Sequence, residues 1–240
     1  MISTPVLKYN KKKKVIFLLL ILLLPSFFYL ILSRGNHRYK SLPFVGPKEI
    51  LEESSDTLYH SIPNFELYDQ DGNIFNNEDM LGNIVVVDFF FTRCPTICPK
   101  LAAHLLDIQN KFADRTDVII VSHTVDPEHD SVEVLKEYAH KVHAKQDKWY
   151  FLTGEKSAIY DLAFKGYFAS ASKDEFAPGG FLHSELIFLV DPKGRLRGSY
   201  DDNGNIVAAF DGLSTSEMKK FADAIDNLLL ENYAPLKKQK

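Results

Sequence analysis

Ile84-Val85-Val86-Val87-Asp88-Phe89-Phe90-Phe91-Thr92-Arg93-Cys94-Pro95-Thr96-Ile97-Cys98-Pro99 decides the fold of this chain. Its first eight residues form a near-continuous β-branched and aromatic run, the mark of a strand buried on both faces in a parallel sheet. The run ends at Cys94 and Cys98, the only two cysteines of the protein. Proline is tolerated only in the first turn of a helix and pushes its predecessor out of the α region, so a helix is predicted to begin near Pro99. Cys98 then sits at the cap and Cys94 in the loop before it. Free N–H groups and the positive dipole end favour thiolate there, which predicts lowered pKa values for both thiols, with Arg93 adding to the effect.

A dithiol so placed can close a small disulfide, exchange electrons with another dithiol, or hold a soft metal ion. A bridge across so few residues restrains little unfolded-state entropy, so a purely structural disulfide is the weakest of the three.

Outward from the motif, Leu101, Leu105, Ile108 and Phe112 recur at helical spacing. Val118 to Val121 is the next buried strand, and Asp130 or Ser131 caps a helix running through His143. Trp149 to Leu152 is a further strand, followed by a helix from about Glu155 to Phe164. A loop rich in small residues, Ala169 to Gly180, is long for a compact domain and is a candidate functional loop. Leu186 to Val190 and Arg195 to Tyr200, joined by Asp191-Pro192-Lys193-Gly194, form a hairpin. A last helix from about Ser214 to Leu230 gathers Met218, Phe221, Ile225 and Leu228 on one face. Upstream, Asn64 to Phe75 alternates and turns as a β-hairpin added to the main sheet. The expected fold class is α/β: a thioredoxin-like domain with an N-terminal β-hairpin addition, after a single N-terminal transmembrane helix.

Residues 1–40 carry eight Lys or Arg and no acid, so of the total charge of −4 the remainder holds −12. An acidic body argues against nucleic acid and leaves room for cationic partners, metal ions included. After four lysines, Val15 to Leu32 is uncharged and just long enough to cross a bilayer. Leu32-Ser33-Arg34-Gly35 has no small-residue cleavage pattern, so an uncleaved anchor is expected rather than a signal peptide. The lysines keep the N-terminus cytoplasmic by the positive-inside rule. The expected organisation is a cytoplasmic basic segment (1–14), a transmembrane anchor (15–32), a linker (33–58), a thioredoxin-like copper-binding domain (59–233) and a basic tail (234–240). The protein would then be single-pass in the cell (inner) membrane, with its functional domain extracytoplasmic, in the periplasm.

The C-x-x-x-C spacing has one residue more than the usual oxidoreductase motif, giving a wider loop that sets two sulfurs around an ion while still allowing a disulfide. A metal site then needs a third ligand. Of eight histidines, His183 stands out, in Gly179-Gly180-Phe181-Leu182-His183-Ser184 immediately before the hairpin strand. In a thioredoxin-like sheet that loop comes up against the cysteine loop. Two thiolates and one imidazole suit Cu(I), and with an added oxygen or water accept Cu(II). Zinc normally takes a fourth protein ligand, for which His123 or Asp126 are the available residues.

Asp88-Phe89-Phe90-Phe91-Thr92-Arg93-Cys94-Pro95-Thr96-Ile97-Cys98-Pro99 resembles the core motif of the Sco/SenC proteins. Val125-Asp126-Pro127-Glu128-His129-Asp130 resembles their D-P-E-R-D segment, and His183-Ser184 before Leu189-Val190-Asp191-Pro192-Lys193-Gly194 resembles their distal motif. Three motifs in order cover roughly residues 60–230. The resemblance implies copper bound by Cys94, Cys98 and His183, and delivery to the CuA centre of cytochrome c oxidase, whose CuA-bearing subunit or assembly factors are the implied partners. Some relatives are thought instead to reduce the acceptor's cysteines. His129 replaces the usual arginine, Leu182 precedes the histidine where an aspartate often stands, and Gly204 to Phe210 reads as an insertion. Asp126, whose strand ends on the same sheet edge as the cysteine strand, is a candidate to support the ligands from behind, or else simply starts a turn.

The expected function is thus a membrane-anchored copper metallochaperone rather than an enzyme. Its rival is a thiol-disulfide oxidoreductase cycling Cys94 and Cys98, which has no need of His183. A peroxidase is a weaker rival, since the chain has no additional cysteine and no arginine-threonine-cysteine constellation of the peroxiredoxin kind.

Overall fold

The computed structural model describes residues 11–34, 41–50, 57–169 and 185–233 of the chain. It falls into two units, residues 1–40 and 41–240. The first is helix α1 (Lys11–Arg34), where Ser26 Oγ donates to the Leu22 carbonyl one residue after Pro25. Among the described residues no helix is long and apolar enough to cross a membrane. The anchor expected over residues 15–32 is therefore not shown.

The second unit is built on β5 (Ile84–Phe90), every residue of which is buried. It runs parallel to β6 (Val118–Thr124), and β6 parallel to β7 (Trp149–Leu152). On its other side β5 pairs antiparallel with β8 (Leu186–Val190). Helices α3 (Ile97–Lys111) and α4 (Val132–Lys141) make the crossovers that parallel strands require. Ser131 caps α4, its Oγ accepting from Val134 N, so Asp130 is free for another task. After β7 come α5 (Lys156–Asp161) and a π-turn, Leu162–Gly166.

The outer edge of β8 is shared. β9 (Leu196–Arg197) pairs with Leu189 and Val190, while β12 (Phe210–Asp211) pairs with Leu186 and Ile187. Between them β10 (Ser199–Tyr200) and β11 (Ile206–Val207) form a separate two-stranded ribbon. The stretch expected as an insertion therefore leads into an edge strand that completes the sheet. Helix α6 (Thr215–Tyr233) follows, burying Met218, Phe221, Ile225 and Leu228 as its spacing predicts.

Upstream, β1 (Lys48–Ile50) pairs with β2 (Thr57–Tyr59), and β3 (Glu66–Tyr68) with β4 (Ile74–Asn76), which leads into the short helix α2 (Asn77–Met80). The β3–β4 hairpin is present, but it forms its own two-stranded sheet. It meets the main sheet through reciprocal backbone bonds between Tyr68 and Thr153, at 2.8 and 2.9 Å, just past the end of β7. Residues 41–47, within the stretch expected as a linker, are bonded to the domain: Val45 N donates to Leu196 O and Gly198 N to Pro43 O. Buried Arg197 bonds the Leu42 carbonyl, Asp191 and Glu231, joining this segment to α6.

Three hairpin loops share one construction. In Asp69-Gln70-Asp71-Gly72-Asn73, Asp191-Pro192-Lys193-Gly194-Arg195 and Asp201-Asp202-Asn203-Gly204-Asn205, the aspartate carboxylate accepts from the backbone N–H two and four residues on. The fourth residue is a glycine with φ of 81°, 75° or 83°, a left-handed conformation that glycine adopts without a Cβ clash.

Candidate metal centre

The end of β5 and the start of α3 position the two thiols. The Cys94 N–H donates to the Phe91 carbonyl at 3.2 Å, and the Cys98 N–H points at Cys94 Sγ at 3.4 Å. Both are buried, 5% and 3% exposed. Thr96 is the N-cap of α3, so Cys98 is the second residue of the helix rather than its cap, and Pro99 still lies in the first turn, where no N–H is needed.

This shift makes the two thiols unlike. Burial pushes the Cys94 thiol up, but hydrogen bonds from the backbone N–H groups of Cys98, Thr96 and Ile97 and from the Cys98 thiol outweigh it, leaving Cys94 below the ordinary thiol value. Burial pushes the Cys98 thiol far up, and the nearby charges of Cys94 and Asp88 push the same way. The expectation that both are lowered therefore holds for Cys94 alone. Nor is Arg93 directed at the thiols: its guanidinium pairs with Asp126.

The loop carrying Cys94 is clamped from the β6–α4 connection. Asp130, 0% exposed, accepts from Thr92 N at 3.0 Å, Thr92 Oγ1 at 2.5 Å, Thr124 Oγ1 at 2.5 Å and His129 Nδ1 at 2.8 Å. A buried carboxylate with four donors is well compensated. Asp126 reaches the cysteine loop through Arg93, and its backbone carbonyl also starts a turn, accepting from the N–H groups of His129 and Asp130. The turn weighed for it from sequence is present.

Among the described residues, one group of three potential ligands lies within 4.8 Å, Asp126 with His129 and Asp130. All three are already engaged within the protein, Asp126 accepting from Arg93, Asp130 from Thr92 and Thr124, and His129 Nδ1 donating to Asp130, so the set is committed to holding the loop. Among the described residues neither Cys94 nor Cys98 belongs to such a group. His183 lies outside the described residues, in the stretch 170–184. His123 is described: it is 0% exposed and packed among Phe65, Phe89 and Tyr167.

Cys94 lines a groove of about 280 Å³ between α3 and α4. Beneath the dithiol, Ser122 Oγ donates to Asp88 and accepts from Trp149 Nε1 at 2.8 Å. Sequence reasoning missed Asp130 and Asp88. The D-P-E-H-D segment carried the first signal, and an acid inside an otherwise apolar strand the second.

The SCO1/SenC family model matches residues 54–216 of this chain. The chain belongs to the SCO1/SenC family. This SCO1/SenC protein is 36% identical over 152 residues to the SCO1 protein homolog of Bacillus subtilis (strain 168), covering 62% of this chain and 78% of the relative. Its fold is similar to that of BsSco, a member of the Sco family of cytochrome c oxidase assembly proteins in which a disulfide switch has been identified, with a TM-score of 0.58 and 29% identity over 70% of this chain and 93% of that one. It is also similar to copper-bound ScoI of Arabidopsis thaliana, with a TM-score of 0.52 and 26% identity over 68% of this chain and 97% of that one. Sco relatives thus include copper-binding and oxidase-assembly proteins, on the same thioredoxin-like fold.

Proposed function

We propose that this protein is a copper metallochaperone that binds copper as cargo through Cys94, Cys98 and His183 and delivers it to the CuA centre of cytochrome c oxidase. The observation that carries the reading is the buried, neighbouring pair Cys94 and Cys98 in a chain whose relatives include copper-bound proteins. The thiols differ in a way that suits cargo. Cys94 is acidified by backbone donors and opens onto a groove, so it is the sulfur that first meets incoming or departing metal. Cys98 is buried and gives up its proton only to a strong competitor such as Cu(I). Transfer proceeds by ligand exchange, one acceptor ligand replacing one donor ligand at a time.

The apolar run from Val15 to Leu32, behind its lysines, supports a membrane anchor with the domain on the extracytoplasmic side. The test is His183→Ala in the reduced full-length chain in detergent. The parent should bind about one Cu(I) per chain, and the variant should bind at least about tenfold more weakly. Copper affinity equal to the parent's would remove His183 from the site and favour a dithiol reductase.

A further inference from the structure

The groove beside Cys94 has a definite shape and sign. It begins at Cys94, runs over Ala102, Ala103 and Leu106 of α3, and is walled by Tyr138 and Lys141 near the end of α4. Cys98 does not line it. Among the described residues no carboxylate lines it either, although the chain beyond residue 40 carries a net charge of −12. The far rim is held in place from within. His143 adopts a left-handed φ of 59°, a conformation that costs a non-glycine residue about 1 kcal/mol. Gln109, only 3% exposed, fixes it: Nε2 donates to the His143 carbonyl at 3.2 Å and Oε1 accepts from Lys145 N at 2.8 Å. A buried glutamine on α3 thereby sets how far the end of α4 stands from it.

We propose that this groove is the docking cleft for the copper-accepting segment of the partner: an extended peptide with an apolar side chain over Ala102 and Ala103 and an acidic residue against Lys141. The inference rests on the chaperone reading and names the chemistry of its acceptor. An acidic segment is repelled by most of this body and attracted at this apolar channel, which ends on Cys94 and carries Lys141 on its wall. Such a field fixes orientation, so the acceptor's ligands arrive at Cys94 first.

The probe is a synthetic peptide of about 12 residues carrying leucine and glutamate next to two serines in place of ligating cysteines, so that docking is read without metal or thiol chemistry. Its affinity is measured against the metal-free reduced full-length protein, alongside a matched peptide with lysine for glutamate. The glutamate peptide should bind more tightly than the lysine peptide, with the difference shrinking as salt is raised. Lys141→Glu should reverse that preference, weakening the glutamate peptide by about tenfold, and Ala103→Phe should weaken both peptides. Both variants should keep the parent's copper stoichiometry. No binding to the parent, or affinities unchanged in both variants, overturns the proposal. A parent that docks the peptide but binds no copper instead overturns the chaperone reading and leaves the cleft standing.

Discussion

Asp88 and Phe89 are neighbours on β5, and across the sheet they face Ser122 and His123 on β6. Successive side chains leave a strand on opposite faces, so two adjacent register pairs bury a polar group on each side of the same two strands. On the dithiol face Asp88 is wired: it accepts from Ser122, which accepts from Trp149. On the other face His123 is caged. Among the described residues neither ring nitrogen has a hydrogen-bond partner, nor does the Tyr167 hydroxyl nearby, and Phe89 stacks on the imidazole at 5.2 Å. Burial raises the Asp88 carboxyl to about 7, with Ser122 pulling partly back, whereas burial lowers His123 to about 3. The face that carries the thiols thus holds a group able to gain or lose a proton near neutrality, and the opposite face holds one locked neutral.

The comparison breaks most visibly at Asp88. Its folded value of about 7 lies above its ordinary value of 3.8. Its share of stability is therefore full below the lower value and is lost as pH rises through the higher one, by up to about 4 kcal/mol. Asp88→Asn keeps an oxygen for Ser122 and cannot ionise, so variant and parent should diverge by about that amount between roughly pH 4 and pH 8 in chemical denaturation of the reduced, metal-free protein. Because the Asp88 charge is one of the influences raising Cys98, the variant's Cys98 thiol should also ionise at lower pH, read from thiolate absorbance. Parallel stability curves would show that Asp88 is not the titrating group.

The frame of this molecule was legible because it is written locally. The unbroken run from Ile84 to Phe91, the four-three-four spacing after Leu101 and the hairpin at Asp191 each specify their element without help from distant residues. The third D-x-x-G loop, at Asp201, has the chemistry of the two that were read as turns, yet its flanking strands are two residues long and show no alternation. That brevity hid the edge strand at Phe210. The site was half legible. The dipole argument for Cys98 used only its place on the helix, whereas burial pushes this thiol up, and Cys94 and then Asp88, ten residues back, add to the rise. Asp130 was hidden likewise, since Thr92, the residue it clamps, lies 38 positions away.

A smaller break is expected at Ser122, the middle of the wired face. Ser122→Ala leaves the buried Trp149 Nε1 without its acceptor and Asp88 without its donor, both in a region closed to water. Stranding a buried polar group costs roughly 1–3 kcal/mol, so the pair should cost about 3 kcal/mol near pH 6 in urea denaturation. A loss below about 1 kcal/mol would show that the chain of bonds contributes little and that water or repacking replaces it. The Asp88 carboxyl should also rise further in this variant, because the one bond that lowers it is gone.

The smallest effect, and the one of opposite sign, belongs to the caged face. Among the described residues His123 makes no hydrogen bond that its replacement would forfeit, and its neighbours Phe65, Phe89 and Tyr167 are aromatic. His123→Phe should therefore stabilise the fold, by about 1 kcal/mol near pH 7.5, by ending the burial of two unpaired nitrogens. Its folded pKa of about 3 is below the ordinary 6.5, so the parent's stability from this group is full above 6.5 and is lost as pH falls toward 3. The variant has nothing to protonate, and its advantage should widen steadily as pH drops below about 6. A lower unfolding midpoint for the variant would mean that the imidazole nitrogens find partners in solution. An advantage that stays constant with pH would mean that His123 is already charged when folded, and the two faces would then no longer differ in kind.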